Sequence, residues 1–171
     1  MSLAGLQKVA KSQATKGGNF IKDGQYLFEI QSVINEQKTD GECFIVEFKV
    51  LESAQTMPDV VPNAVGSSCS VVWNLDKHKS SPGNVKGFIL GLFGSDESDT
   101  PENEILETAQ ELVGSKQPAR GMLIKDETFR GTIRSGANAG NPITKHKWMA
   151  VPNQAEADIA KRRAALDAAG T

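Results

Sequence analysis

The chain has 171 residues, 39% of them hydrophobic and 23% charged, with a formal net charge of −2; this suits one domain with a proper core and terminal extensions. No apolar run approaches the roughly 18 residues of a membrane span, and the opening stretch MSLAGLQKVAKSQATKGG has no signal-type apolar core, so a cytoplasmic product is expected. Cys43 and Cys69 stand in strand-like apolar surroundings and read as buried free thiols; with no CxxC pair and His78 far from His146, no metal and no cofactor are expected.

Residues 1–19 form a basic arm carrying Lys8, Lys11 and Lys16 without an acid, which reads as flexible. A domain over residues 20–152 follows. Asp23-Gly24 is a turn, and from Gln25 to Ile34 the residues Tyr26, Phe28 and Ile30 alternate with Glu29 and Gln31, the period of a half-buried strand. Lys38 to Gly41 is a turn signal, after which Glu42 to Glu52 places Phe44, Val46, Phe48 and Val50 on one face, completing a long hairpin. Residues 53–65, with Pro58 and Pro62, read as an irregular connector.

A third strand is expected where Cys69, Val71, Trp73 and Leu75 alternate with polar neighbours, then a basic loop from Lys77 to Gly83. From Asn84, the spacing of Val85, Phe88, Ile89, Leu92 and Phe93 predicts one apolar stripe of a helix that Gly94 can end. Thr100 is placed to cap a second helix with Pro101 in its first turn and Ile105, Leu106, Ala109, Leu112 and Val113 on its buried face. Residues 119–134 read as a fourth strand around Met122, Ile124 and Phe129, SGANAGNP as a flexible loop, and Ile143 to Val151 as a fifth strand. In that last strand Lys145, Lys147 and Met149 alternate with Thr144, His146, Trp148 and Ala150. Residues 153–171 form an alanine-rich tail read as helical.

The expected fold is therefore mainly β: a five-stranded OB-fold-like Greek-key barrel, with a helical insertion between strands 3 and 4 that plugs it, and helical or flexible termini. No GxSxG elbow, P-loop or HExxH is present and the acids from Asp96 to Glu111 read as a solvated helix face, so an enzyme is not expected.

Although the chain is mildly acidic overall, its charges are segregated. Ser115 to Ala150 carries seven bases against only Asp126 and Glu127, and it is local potential that an anionic polymer responds to. Candidate backbone-binding cations are Lys77, Lys79 and Lys86 near the first helix, and Arg120, Lys125, Arg130, Arg134, Lys145 and Lys147 in the last two strands and their loop. Arg130 and Arg134 stand out, since TFRGTIRSGANAGN puts them at the base of a loop. For stacking on bases, Trp73, Phe129 and Trp148 are the candidates, each with core packing as the competing role, whereas Phe44 and Phe48 share an unbroken apolar face and read as core.

The segments GQYLFEIQSV, DGECFIVEFKVLES, GSSCSVVWNLDKH with GNVKGFILGLFG, and GNPITKHKWMAVP, in this order over residues 24–152, resemble the OB-fold single-stranded-DNA-binding proteins of tailed-phage replication and recombination modules. The resemblance implies non-catalytic, largely sequence-independent coating of single-stranded DNA in a host cell's cytoplasm. It also implies replication or recombination proteins as further partners, with a homo-oligomer left open. The chain departs from well-known cellular single-strand binders in ending on DAAGT after a basic cluster instead of an acidic tip. The competing reading is a phage protein-interaction or virion-assembly module, using the acidic second helix and the termini as contact surfaces.

Overall fold

Residues 20–134 and 136–151 are described by the computed structural model; the basic arm and the alanine-rich tail lie outside them. Five strands, β1 (Gln25–Lys38), β2 (Gly41–Ala54), β3 (Ser68–Asn74), β4 (Leu123–Thr132) and β5 (Pro142–Ala150), form one antiparallel sheet in the order β3-β2-β1-β4-β5. Among the described residues the ladder is open: β3 and β5 are its two edges, with no pairing between them. Between β3 and β4 the chain forms α1 (Ser81–Phe93), a short turn of 3-10 helix (Glu97–Asp99) and α2 (Glu102–Leu112). No helix of the described residues is long and apolar enough to cross a membrane.

The hairpin alternation sets the inner face of the sheet, and two bulges keep it there. Opposite β2, β1 runs Phe28 to Val50 and Ile30 to Phe48, then skips Gln31 so that Val33 meets Val46. The extra residue switches the buried set of β1 from even to odd positions, and without it Val33 would face water. Where the bulge frees β1 from regular pairing with β4, Gln117 takes over: its side-chain amide accepts from Val33 N–H at 2.8 Å and donates to Val33 C=O at 2.7 Å. One side chain thus supplies the two hydrogen bonds a neighbouring strand would have made.

Phe28, Phe48, Trp73, Phe88 and Trp148 meet in the core, with Phe28 and Phe48 stacked at 4.7 Å and Trp148 stacked on Phe48 at 5.5 Å. The stripe of α1 falls as its spacing predicts, with Val85, Phe88, Ile89 and Leu92 buried and Gly94, at φ 63°, ending the helix. The helix starts three residues before Asn84, at Ser81, because Pro82 is acceptable in a first turn where its missing N–H would have no helical partner. α1 spans from β3 to β5: Trp73 on β3 and Trp148 on β5 both touch Phe88, and their own rings meet edge-on at 6.2 Å. Gly91 permits this closure. A Cβ there would lie 2.5 Å from Trp148 Cβ and 2.8 Å from its carbonyl oxygen.

Three sequence expectations are corrected. Pro101, not Thr100, stands at the N-cap of α2; the Thr100 hydroxyl instead donates to the Asp96 carbonyl. Leu106 is exposed, because Ile105, Ala109, Leu112 and Val113 already fill the face of α2 that meets the core and the next position around the helix points away. Residues 119–122 form a turn, and β4 begins at Leu123.

Candidate nucleic-acid interface

β4 and β5 pair from Ile124–Ala150 to Thr132–Pro142, and this register sorts their side chains onto two faces of different chemistry. On the outer face, Lys125 stands opposite Met149, Glu127 opposite Lys147, Phe129 opposite Lys145 and Gly131 opposite Ile143. Phe129 is on the opposite side of β4 from Ile124, so it is not core: half of it is exposed, as are Ile143, Lys125, Lys145 and Lys147. The stem of Lys145 lies across Gly131, where a Cβ would be 2.6 Å from its Cε. A bare aromatic ring flanked by lysines, with Glu127 as the one acid among these eight positions, offers a stacking surface and cations together. Arg134, exposed just beyond β4, extends the same end of the hairpin.

The inner face is polar where it leaves the core. Asp23, before β1, is buried; its Oδ2 accepts from Arg130 Nε and Nη2, both at 2.7 Å, and its Oδ1 accepts from the Thr144 hydroxyl at 2.9 Å. Thr128 Oγ1 accepts from Gly24 N–H at 2.8 Å. Deeper in, Asp126 faces Tyr26 on β1 and Trp148 on β5. Its Oδ2 is 2.7 Å from His146 Nδ1, while its Oδ1 has no hydrogen-bond partner. Burial pushes the Asp126 carboxyl above the ordinary carboxylate range, and the His146 contact pulls it partly back. Burial, helped by the Asp126 charge, also pushes the Cys69 thiol up to about 12, which makes this free cysteine unreactive.

The structure therefore separates the sequence candidates. Lys125, Phe129, Lys145 and Lys147 are brought together on one face. Arg130 is on the other face and belongs to the Asp23 ion pair, not to a free loop base, although its side chain stays 45% exposed. Trp73, 7% exposed, is core and offers no free ring face. Trp148 is partly buried, in ring contact with Phe28, Phe48, Trp73, Phe88 and His146, so most of its surface is already used. Lys77 and Lys79 are exposed in the turn between β3 and α1, Lys86 pairs with Glu97 at 2.9 Å, and Arg120 Nε donates to the Gln31 carbonyl; none of these four is on the β4–β5 ladder.

Asp23, Asp126, Thr144 and His146 were missed as a group. The available signal was parity: Asp126 and Thr128 share the alternation set of Ile124, and His146 that of Trp148, so polar residues sit where core residues are due. No group of described His, Cys, Asp and Glu residues is arranged to hold a metal ion. No protein-family model matches the chain, and no curated protein matches it.

Proposed function

We propose that this chain binds single-stranded DNA without sequence preference and without catalysis, on the outer face of the β4–β5 hairpin. The observation that carries the reading is the half-exposed Phe129 ring set opposite Lys145, with Lys125 and Lys147 on the same face. An unpaired strand needs a flat partner for its bases and cations along its phosphates, and this face supplies both within a few residues. Duplex DNA keeps its bases stacked and so gains nothing from Phe129.

The strand order β3-β2-β1-β4-β5, with a helix packed between the edge strands, supports reading the open sheet as an OB-like Greek-key barrel parted between β3 and β5. Such a barrel fits the same reading, as does the resemblance to phage replication and recombination proteins. The test is fluorescence anisotropy of a labelled oligo-dT at low salt, with duplex and RNA as competitors. Wild-type protein is expected to bind oligo-dT, and Phe129→Ala to lose about ten-fold in affinity, the value of one stacked base. No binding by the wild-type protein at tens of micromolar would end the proposal. The competing protein-contact reading rests on Leu106, exposed among the acids of α2; it is favoured if Leu106→Glu dissolves an oligomer that light scattering detects.

A further inference from the structure

The outer face of β1, β2 and β3 carries an apolar row that the core does not use. The register sets Ile34 opposite Ile45 and Ile45 opposite Val72, on the side of the sheet away from the core row Val33, Val46 and Val71. Ile45 is buried at the centre of the row, while Ile34 and Val72 on either side are 37% and 40% exposed. Phe20, 67% exposed, extends the strip: it bridges Ser70 at the edge of β3, and Ser70 shares the face of Val72 two residues on. The rows above and below are polar, Ser32–Glu47–Ser70 and Glu36–Cys43–Asn74. Glu36 and Glu47 are exposed, and neither meets a cation among the described residues. An apolar strip between two unpaired carboxylates fits a segment with one apolar stripe and lysines beside it.

We propose that this strip is the docking site of the chain's own N-terminal arm, residues 3–11, with the arm's lysines set against Glu36 and Glu47. The inference stands apart from single-strand binding. The occupant follows from sequence, charge and reach. Leu3, Leu6 and Val9 or Ala10 recur at helical spacing, and so short a helix needs its apolar stripe covered to hold in water. Lys8, Lys11 and Lys16 are the arm's side-chain charges, and residues 1–19 contain no acid, so the arm complements the two carboxylates. A helix over 3–11 is about 13 Å long, against about 10 Å from β3 across to β1. Phe20 fixes where the arm joins the domain, at the edge of the strip. Its bridge to Ser70 is parallel, so the chain before it heads past the start of β3, and Gly17-Gly18 supplies a turn that brings it back. Residues 12–19 reach about 26 Å when extended, more than the strip requires. A tether this short holds the arm at about millimolar effective concentration, which favours this chain's arm over that of a second copy.

The test is amide hydrogen exchange of the full chain, without nucleic acid, at about 1 µM and about 100 µM protein. Residues 3–11 are expected to exchange about ten-fold more slowly than the unstructured rate for their sequence, alike at both concentrations. Ile34→Ser with Val72→Ser should return them to the unstructured rate while the amides of β2 keep their protection. Lys8→Glu with Lys11→Glu should speed them about three-fold, and adding Glu36→Lys with Glu47→Lys should slow them again. The two lysines lie outside the core, so this second set keeps the test valid if the first loosens the sheet. Wild-type arm amides at the unstructured rate overturn the docking. Protection that survives Ile34→Ser with Val72→Ser places the arm elsewhere and overturns this site. Charge reversal without effect, or without rescue by the swap, overturns the pairing with Glu36 and Glu47. Protection that grows with concentration, together with a dimer in light scattering, gives the strip to a second copy and overturns docking within one chain.

Discussion

The β1–β2–β3 half of the sheet and the β4–β5 hairpin share one ladder but solve different problems on their inner faces. Across the first three strands that face is apolar: Phe28, Ile30, Val46, Phe48, Val50 and Val71 pack against Phe88 and Leu92 of α1. Along the hairpin it turns polar, and Asp23, Arg130, Thr144, Asp126 and His146 hold one another by charge and hydrogen bonds. Packing fixes the first region without regard to pH or salt, whereas the second is anchored by groups that titrate or can be screened. With its inner face engaged in anchoring, the hairpin has only its outer face to offer a partner, and that face carries Phe129 and the lysines.

The contrast can be broken most severely where the two regions meet. Gly91→Ala pushes a methyl into the Trp148 backbone, which cannot swing aside, and should cost about 3 kcal/mol with a fall of about 8 °C in Tm by thermal denaturation. A melt unchanged from wild type would mean that α1 does not clamp β5. Next comes Arg130→Ala, which leaves the buried Asp23 carboxylate without its cation and should cost about 2 kcal/mol in urea unfolding. This ion pair also makes Arg130→Glu a poor probe of DNA binding, since a second acid against Asp23 would loosen the fold itself.

The pH dependence sharpens the comparison further. Burial raises the Asp126 carboxyl in the folded chain above its unfolded value, so its contribution is fully present below the unfolded value and is lost as pH rises through the folded one. Wild-type Tm should therefore fall relative to Asp126→Asn as pH rises above the ordinary carboxylate range; parallel curves for the two proteins would show that the carboxyl titrates alike folded and unfolded. The smallest effect is expected at Gly131→Ala. There the added methyl meets only the flexible end of Lys145, so stability should change by less than about 1 kcal/mol while oligonucleotide affinity shifts with the displaced lysine.

How far the sequence could be read follows the same division. Period-2 alternation located β1, β2, β3 and β5, and helical spacing located α1, because in each case burial is set within the element. The hidden parts depend on distant partners: the amide of Gln117 beside Val33, the Asp23–Arg130 pair and the contact of Asp126 with His146 join residues far apart in sequence. Of the binding candidates, parity separated Lys145 and Lys147 from Trp148, but the side of β4 that Phe129 and Arg130 occupy became definite only with the β1–β4 and β4–β5 registers.

The central claim is that the outer face of the hairpin binds an unpaired strand, and the most direct measurement is the salt dependence of oligo-dT affinity for wild-type protein and for Lys145→Glu with Lys147→Glu. Both lysines are exposed and neither is tied into the inner network, so Tm should stay within about 2 °C. Affinity should drop at least about ten-fold at low salt, and the slope of log K against log salt should shrink by about 1.4, about 0.7 for each phosphate contact removed from a single strand. Equal affinity and equal slope for the two proteins would contradict the account.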